Sequence, residues 1–257
     1  MHFGVLMRRW AIGSVAFFLT LGIGVSAAWF FLRTNQTIET NGNPPVAEPV
    51  VEPVGNATNS SDHLSEFFTD ESRIGRAGKN KIVVNCFERG GEMVAEIKFY
   101  SRSNNARWEQ KQSFEFKKDG LTGCDPEIKD FNNDGLKDFT YQSNVAARGA
   151  NVIRTLFIYD PKKDELLYVK NSESYPNMLY NEKLDCIDSW MFHGATTTVF
   201  LKIEGDMLKE FASVDTGAEL VVKVTTEIGE REIRRKTMSL DDIYTRYISF
   251  DPPIPYK

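Results

Sequence analysis

Histidine is nearly missing from this sequence: His2, His63 and His193 are the three present. A Ser-His-Asp or Cys-His centre needs an imidazole to move the nucleophile's proton. His2 precedes an apolar run and His63 stands at the edge of a polar linker, so only His193 is left for such chemistry. Cys186 lies seven residues away across "IDSWMF", with neither a nucleophile elbow nor a Gly-rich oxyanion loop beside it. Packing accounts for His193 better than catalysis does. Phosphate-cradling loops are also missing: no GxGxxG follows a strand, no GxxxxGK[ST] occurs, and "GRAGKN" at Gly75 lacks the loop spacing. Carboxylates are so abundant that a glycosidase-like pair carries no signal in sequence, and Asp160, Asp164 and Asp185 read as turn and surface residues. No catalytic residue is assigned, and the chain reads as a non-enzyme that binds no nucleotide.

Cysteine is sparse as well. Cys86, Cys124 and Cys186 lie far apart and form no CxxC pair. Outside the cytoplasm one disulfide can form, most simply Cys86 to Cys124, with one thiol left over; buried free thiols are the alternative. Basic charge is in deficit. Beyond Arg33 the chain carries 28 basic and 36 acidic residues, a formal charge of −8. A nucleic-acid surface needs the opposite balance, whereas a cationic protein partner suits it.

One long apolar run is present. Trp10 to Leu32, "WAIGSVAFFLTLGIGVSAAWFFL", holds 23 residues without a charge, with Arg8 and Arg9 before it and Arg33 after it. A membrane span needs roughly 20 such residues. The excess of positive charge ahead of the run places the N-terminus in the cytoplasm and everything from Thr34 outside. A cleaved signal peptide ending at Ala27 is the rival, but the run continues through Trp29 to Leu32, which favours an uncleaved anchor. Residues 1–33 are thus read as anchor or signal segment and residues 34–61, rich in Pro, Asn and Thr, as a disordered linker. Residues 62–257 are read as an extracytoplasmic domain, periplasmic or extracellular.

That domain reads as all-β. "KIVVNCFE" and "MVAEIKFY" flank the turn "RGG"; "WEQKQSFEFKK" alternates; "NVIRTLFIYD" and "ELLYVK" flank Pro-Lys-Lys-Asp. "TTTVFLKI", "MLKEFASV", "ELVVKVTT" and "REIRRKTM" follow with turns between them. The spacing predicts antiparallel hairpins in a sandwich or propeller-like arrangement. Helix is minor: "SLDDIYTRYI", with Ser239 as N-cap and Asp242 three residues on, predicts a short one, and "DHLSEFF" a second.

The chemistry concentrates in "IKDFNNDGLKDFTY", Ile128 to Tyr141. Calcium takes six to eight oxygens on a sharply turning backbone, with side chains at loop positions 1, 3, 5 and 9 and a carbonyl at 7. Counted from Asp130 these are Asp130, Asn132, Asp134 and Asp138, with the Leu136 carbonyl at 7 and Gly135 at the turn. Tyr141 stands where an EF-hand has glutamate, and the flanks are strand-like, so this is not an EF-hand. Asp, Asn and Gly also dominate ordinary turns, but crowded carboxylates repel unless a cation neutralises them. Phe131 and Phe139 are expected to face the core.

The run DxNxDGxxDF resembles the calcium loops of FG-GAP and integrin-α-type propellers. "DFNNDGLKDF" followed by "LFIYDPKKDELLYV", "YPNMLYN" and "GATTTVFLKI", from Glu127 to Val214, is similar to a family of bacterial periplasmic calcium-loop β proteins that includes immunity proteins and lysozyme inhibitors. The resemblance implies an extracytoplasmic β domain with Ca2+ at the loop, whose partner is a protein of the peptidoglycan hydrolase class. Occlusion of a hydrolase cleft is the implied activity; the alternative is an envelope or adhesion module in which calcium only stabilises the fold. Two stretches offer partner-binding candidates: "ARGANVIR", with Arg148, Asn151 and Arg154, and "SYPNMLYN", with Tyr175, Met178 and Tyr180. Local packing is the competing reading of both.

Overall fold

The computed structural model describes residues 63–103 and 106–257. The expected membrane run and linker lie outside these residues. Among the described residues no helix is long and apolar enough to cross a membrane.

The described chain is all-β and antiparallel, built as three consecutive meanders. In the first sheet β1 (His63–Asp70), β2 (Asn80–Arg89), β3 (Glu92–Ser101) and β4 (Glu109–Lys118) pair in chain order. The second holds β5 (Glu127–Lys129), β6 (Asp138–Ala146), β7 (Asn151–Asp160) and β8 (Glu165–Val169), again in order. The third runs from β9 (Leu179–Asn181) through β10 (Cys186–Phe192), β11 (Thr196–Glu204), β12 (Met207–Asp215) and β13 (Glu219–Thr226) to β14 (Gly229–Thr237). A hairpin of β15 (Tyr247–Phe250) and β16 (Pro253–Pro255) closes the chain. The "RGG" turn forms because Gly90 and Gly91 take φ of 62° and 83°, a conformation in which a side chain would be strained.

Side-chain alternation explains how the sheets pack. On β7, Phe157 and Tyr159 face a cluster shared with Ile82, Ile97 and Phe99 of the first sheet. The alternate residues Leu156 and Ile158 face a second cluster with Ile187, Val199 and Leu201 of the third sheet. The run "LFIY" is therefore apolar without a break because its strand is covered on both faces. A third cluster, with Phe200, Val214 and Val222, lies on the far face of the third sheet against Tyr247 of β15. The Cys86–Cys124 disulfide ties β2 to the chain just ahead of β5.

Two expectations are corrected. Residues 63–68 of "DHLSEFF" are not a helix but part of β1, which pairs along β2 from His63 opposite Glu88 to Asp70 opposite Ile82. "SLDDIYTRYI" yields only a 3-10 turn, Leu240–Asp242. Ser239 Oγ does accept the Asp241 N–H at 3.3 Å, but four residues beyond the turn Arg246 is drawn to the buried Asp188 and the chain leaves as strand.

Candidate metal centre

The acidic loop joins β5 to β6, whose last pair sets Lys129 opposite Asp138. Phe131 is buried in the second cluster and Phe139 in the first, so the loop is gripped from both faces of the middle sheet. Its turns are local. Asn132 Oδ1 accepts the Asp134 N–H at 3.2 Å, Asp134 Oδ1 accepts the Leu136 N–H at 2.8 Å, and Asp130 Oδ2 accepts the Gly135 N–H at 3.0 Å. Asn133 and Gly135 sit at φ of 58° and 84°, where Asn and Gly are the favoured residues. Outside the loop, Gly75 donates its N–H to the Lys137 carbonyl at 2.9 Å. Gly75 has φ of 51°, and a Cβ there would lie 2.7 Å from Asn80 Oδ1 and 3.0 Å from the Tyr159 ring. A glycine is required for that approach.

Asp138 is fully buried. Its Oδ2 accepts the Phe131 N–H at 2.7 Å and its Oδ1 the Tyr159 N–H at 2.9 Å, so it clamps the loop to β7. Burial, opposed by those two hydrogen bonds and reinforced by the charges of Asp134 and Asp130, pushes its carboxyl up to about 7. Asp130 Oδ1 is buried and has no hydrogen-bond partner. An unpaired buried carboxylate oxygen is costly, and in a loop of hard oxygen donors it fits a cation such as calcium. The donor set therefore fits the metal in kind: three carboxylates, one carboxamide and the Leu136 carbonyl. The carboxylates of Asp130, Asp134 and Asp138 are not, however, drawn to within 4.8 Å of one another; the described group that meets that spacing is Glu66 with Cys86 and Cys124, whose sulfurs are joined in the disulfide. Asp134 instead spends its oxygens on the Leu136 N–H and, at 3.0 Å, on the Asn132 amide.

The raised carboxyl of Asp138 sets a pH dependence of stability. A folded-state value near 7 against an ordinary 3.8 means the fold prefers the protonated group. Its contribution is full below about pH 4 and is lost as pH rises through about 7, with a slope of at most ~1.4 kcal/mol per pH unit. Urea unfolding in chelator is thus expected to show a lower midpoint at pH 8 than at pH 5, and Asp138→Asn to flatten the difference. An unchanged pH response in that variant would assign the effect elsewhere.

The six partner-binding candidates do not form one exposed surface. Arg148 is exposed on the 3-10 turn Ala147–Gly149 at φ of 56°. Asn151 pairs with the Phe192 backbone at 2.8 and 3.0 Å. Arg154 is buried, bonded to the Asp125 carbonyl at 2.9 Å and paired with the carboxylates of Asp125 and Glu127. Met178 is buried in the second cluster and Tyr175 packs against it. Tyr180 donates its hydroxyl to Asp185 Oδ1 at 2.5 Å. His193 Nε2 lies 2.8 Å from Thr197 Oγ1, which donates to Asp215, and burial pushes the free Cys186 thiol up to about 12.

Asp185, read from the sequence as a turn and surface residue, is the loop's neighbour in the fold. It accepts from Asn133 at 3.3 Å as well as from Tyr180, and beside it Phe131, Asn132 and Lys202 line a cavity of about 230 Å³. The available signal was the turn "NEKLD", in which Asn181 Oδ1 accepts the N–H groups of Lys183 and Leu184.

Neither a protein-family model nor a curated protein matches this chain. It is weakly similar to one solved structure. That structure is of a Xanthomonas type IV secretion system related protein, 12% identical, with 68% of this chain and 98% of that chain covered and a TM-score of 0.42. A likeness of that size carries no argument for fold or activity.

Proposed function

We propose that this chain is a non-enzymatic, calcium-binding β domain held outside the cytoplasmic membrane by residues 10–32, and that it binds a protein. The observation that carries the calcium reading is the buried, unpartnered Asp130 Oδ1 in a loop of oxygen donors. Asp130, Asn132, Asp134, Asp138 and the Leu136 carbonyl would hold the ion. Bound calcium supplies charge neutralisation; the chain's own contribution is to fix the loop to both flanking clusters through Phe131 and Phe139. Inhibition of a lysozyme-like peptidoglycan hydrolase is the finer reading, and it rests on the sequence resemblance.

A second reading, an envelope or adhesion module in which calcium only stabilises the fold, is favoured by a specific observation: Arg154 and Met178, two of the partner-binding candidates, are buried within the domain. Thermal unfolding of the full-length protein tests the metal. At free calcium tenfold above its dissociation constant the expected gain is about 1.4 kcal/mol, or roughly 3–6 °C for a domain of this size. Identical melting in calcium and chelator would remove calcium from the account. Residual activity of a panel of peptidoglycan hydrolases separates the two readings: stoichiometric inhibition supports the first, and none across the panel supports the second.

A further inference from the structure

Four basic residues of this acidic chain stand close together on one strand. β14, "GEREIRRKT", carries Arg231, Arg234, Arg235 and Lys236. It ends the order of the third sheet, so among the described residues no strand pairs with its outer edge. Register sorts the four. Arg234 stands opposite Val222 and Lys236 opposite Leu220, both buried in the third cluster, while Arg231 stands opposite Val224, which packs against it. Directly opposed residues share a face, so these three bases rise on the side of the sheet covered by the C-terminal hairpin. Arg235 takes the other side and is occupied by Glu219 and Glu232.

Between β14 and the hairpin runs a cleft of about 870 Å³, lined by Arg234, Lys236, Tyr244, Pro253 and Tyr256 among others. Asp242 also lines it, and so does Arg246, whose charge is matched by Asp188. Lys236 and Arg231 have no carboxylate within ion-pair reach among the described residues. Arg234 has Asp251 alone, at 3.2 Å on an exposed turn. Charged edge strands commonly serve to block self-pairing, and that explains the charge. It does not explain a cleft with an aromatic and proline wall beside the same residues. The strand's own Glu230 and Glu232 are taken up by Lys223 and Arg235, and opposite charges opposed across a strand pair are favourable, so Arg231, Arg234 and Lys236 favour an acidic strand.

We propose that the outer edge of β14 docks an acidic, extended segment of a protein partner, which joins the third sheet as a further strand and sets alternate carboxylates against Arg234 and Lys236. Main-chain hydrogen bonds supply affinity and the alternating side chains supply selection. This rests on the reading of the chain as a protein-binding domain and is independent of the calcium loop.

The test titrates the full-length protein, in neutral detergent, into a labelled short peptide alternating Glu and Val, followed by fluorescence anisotropy and hydrogen exchange. The expected result is binding that weakens at high salt, slowed exchange of β14 amides, and a loss of about tenfold in the Arg234→Glu, Lys236→Glu double variant. A peptide with proline in place of the central Val is expected not to bind, a control that needs no protein variant. Equal binding of the proline peptide, or of the double variant, would overturn the docked strand. So would displacement by polygalacturonate with β14 amides still exchanging freely, which would make the edge a general polyanion surface. Absence of binding alongside an intact calcium melting shift would defeat this proposal and leave the metal reading standing.

Discussion

Replacing Asp188 by alanine is expected to destabilise the domain by about 3–5 kcal/mol, the range for removing one partner of a buried ion pair. Asp188 is fully buried on β10. Its Oδ1 accepts Arg246 Nε at 2.7 Å and a second guanidinium N–H, while its Oδ2 accepts the Asn181 amide at 2.9 Å and the Tyr256 hydroxyl. Arg246 also donates to the Asn177 carbonyl at 2.9 Å. One carboxylate thus joins β9, β10 and the terminal hairpin, and its loss leaves a guanidinium and a phenol partly buried without an acceptor. Urea unfolding measures the loss, and limited proteolysis after residue 246 locates it. Asp188→Asn, which keeps the shape, should cost less. A loss under about 1 kcal/mol for the alanine variant would mean that water replaces the carboxylate freely.

Asp138→Ala is the second large effect, about 3–5 kcal/mol in calcium buffer, because two buried N–H groups, those of Phe131 and Tyr159, lose their acceptor at roughly 1–3 kcal/mol each. Asp134→Ala provides the contrast. Asp134 is exposed, so its removal should abolish the calcium-dependent gain and leave stability in chelator within about 1 kcal/mol of the parent. Equal losses for the two variants in chelator would contradict the division of the loop into a clamp and a set of surface donors.

How far the fold could be read depended on the distance over which each interaction acts. Strands and turns were legible because their causes are local: Gly90 and Gly91 turn one hairpin, and "FEF" in β4 alternates because Phe114 and Phe116 face inward while Glu115 faces out. The turns of the acidic loop were legible for the same reason, with Asp130 reaching only to Gly135 and, by an ion pair, to Lys137. The second acceptor role of Asp138, toward Tyr159, is 21 residues distant and left no local mark. Arg154 was misleading in a related way. An arginine next to a polar turn resembles an anchor for a partner, and only the folded chain brings Asp125 and Glu127 around it from the preceding segment. β1 was missed because its pattern is weak by itself; its edge position leaves Leu64 and Phe67 exposed, and its identity comes from β2.

The Cys86–Cys124 link has a mechanical consequence. The residues between those cysteines include all of β3 and β4. Tension entering at His63 and leaving at Lys257 passes across the sulfur bridge from β2 toward β5, bypassing the enclosed loop. β3 and β4 can be pulled apart only indirectly, so the first sheet yields at β1 while half of it bears no load along its own backbone.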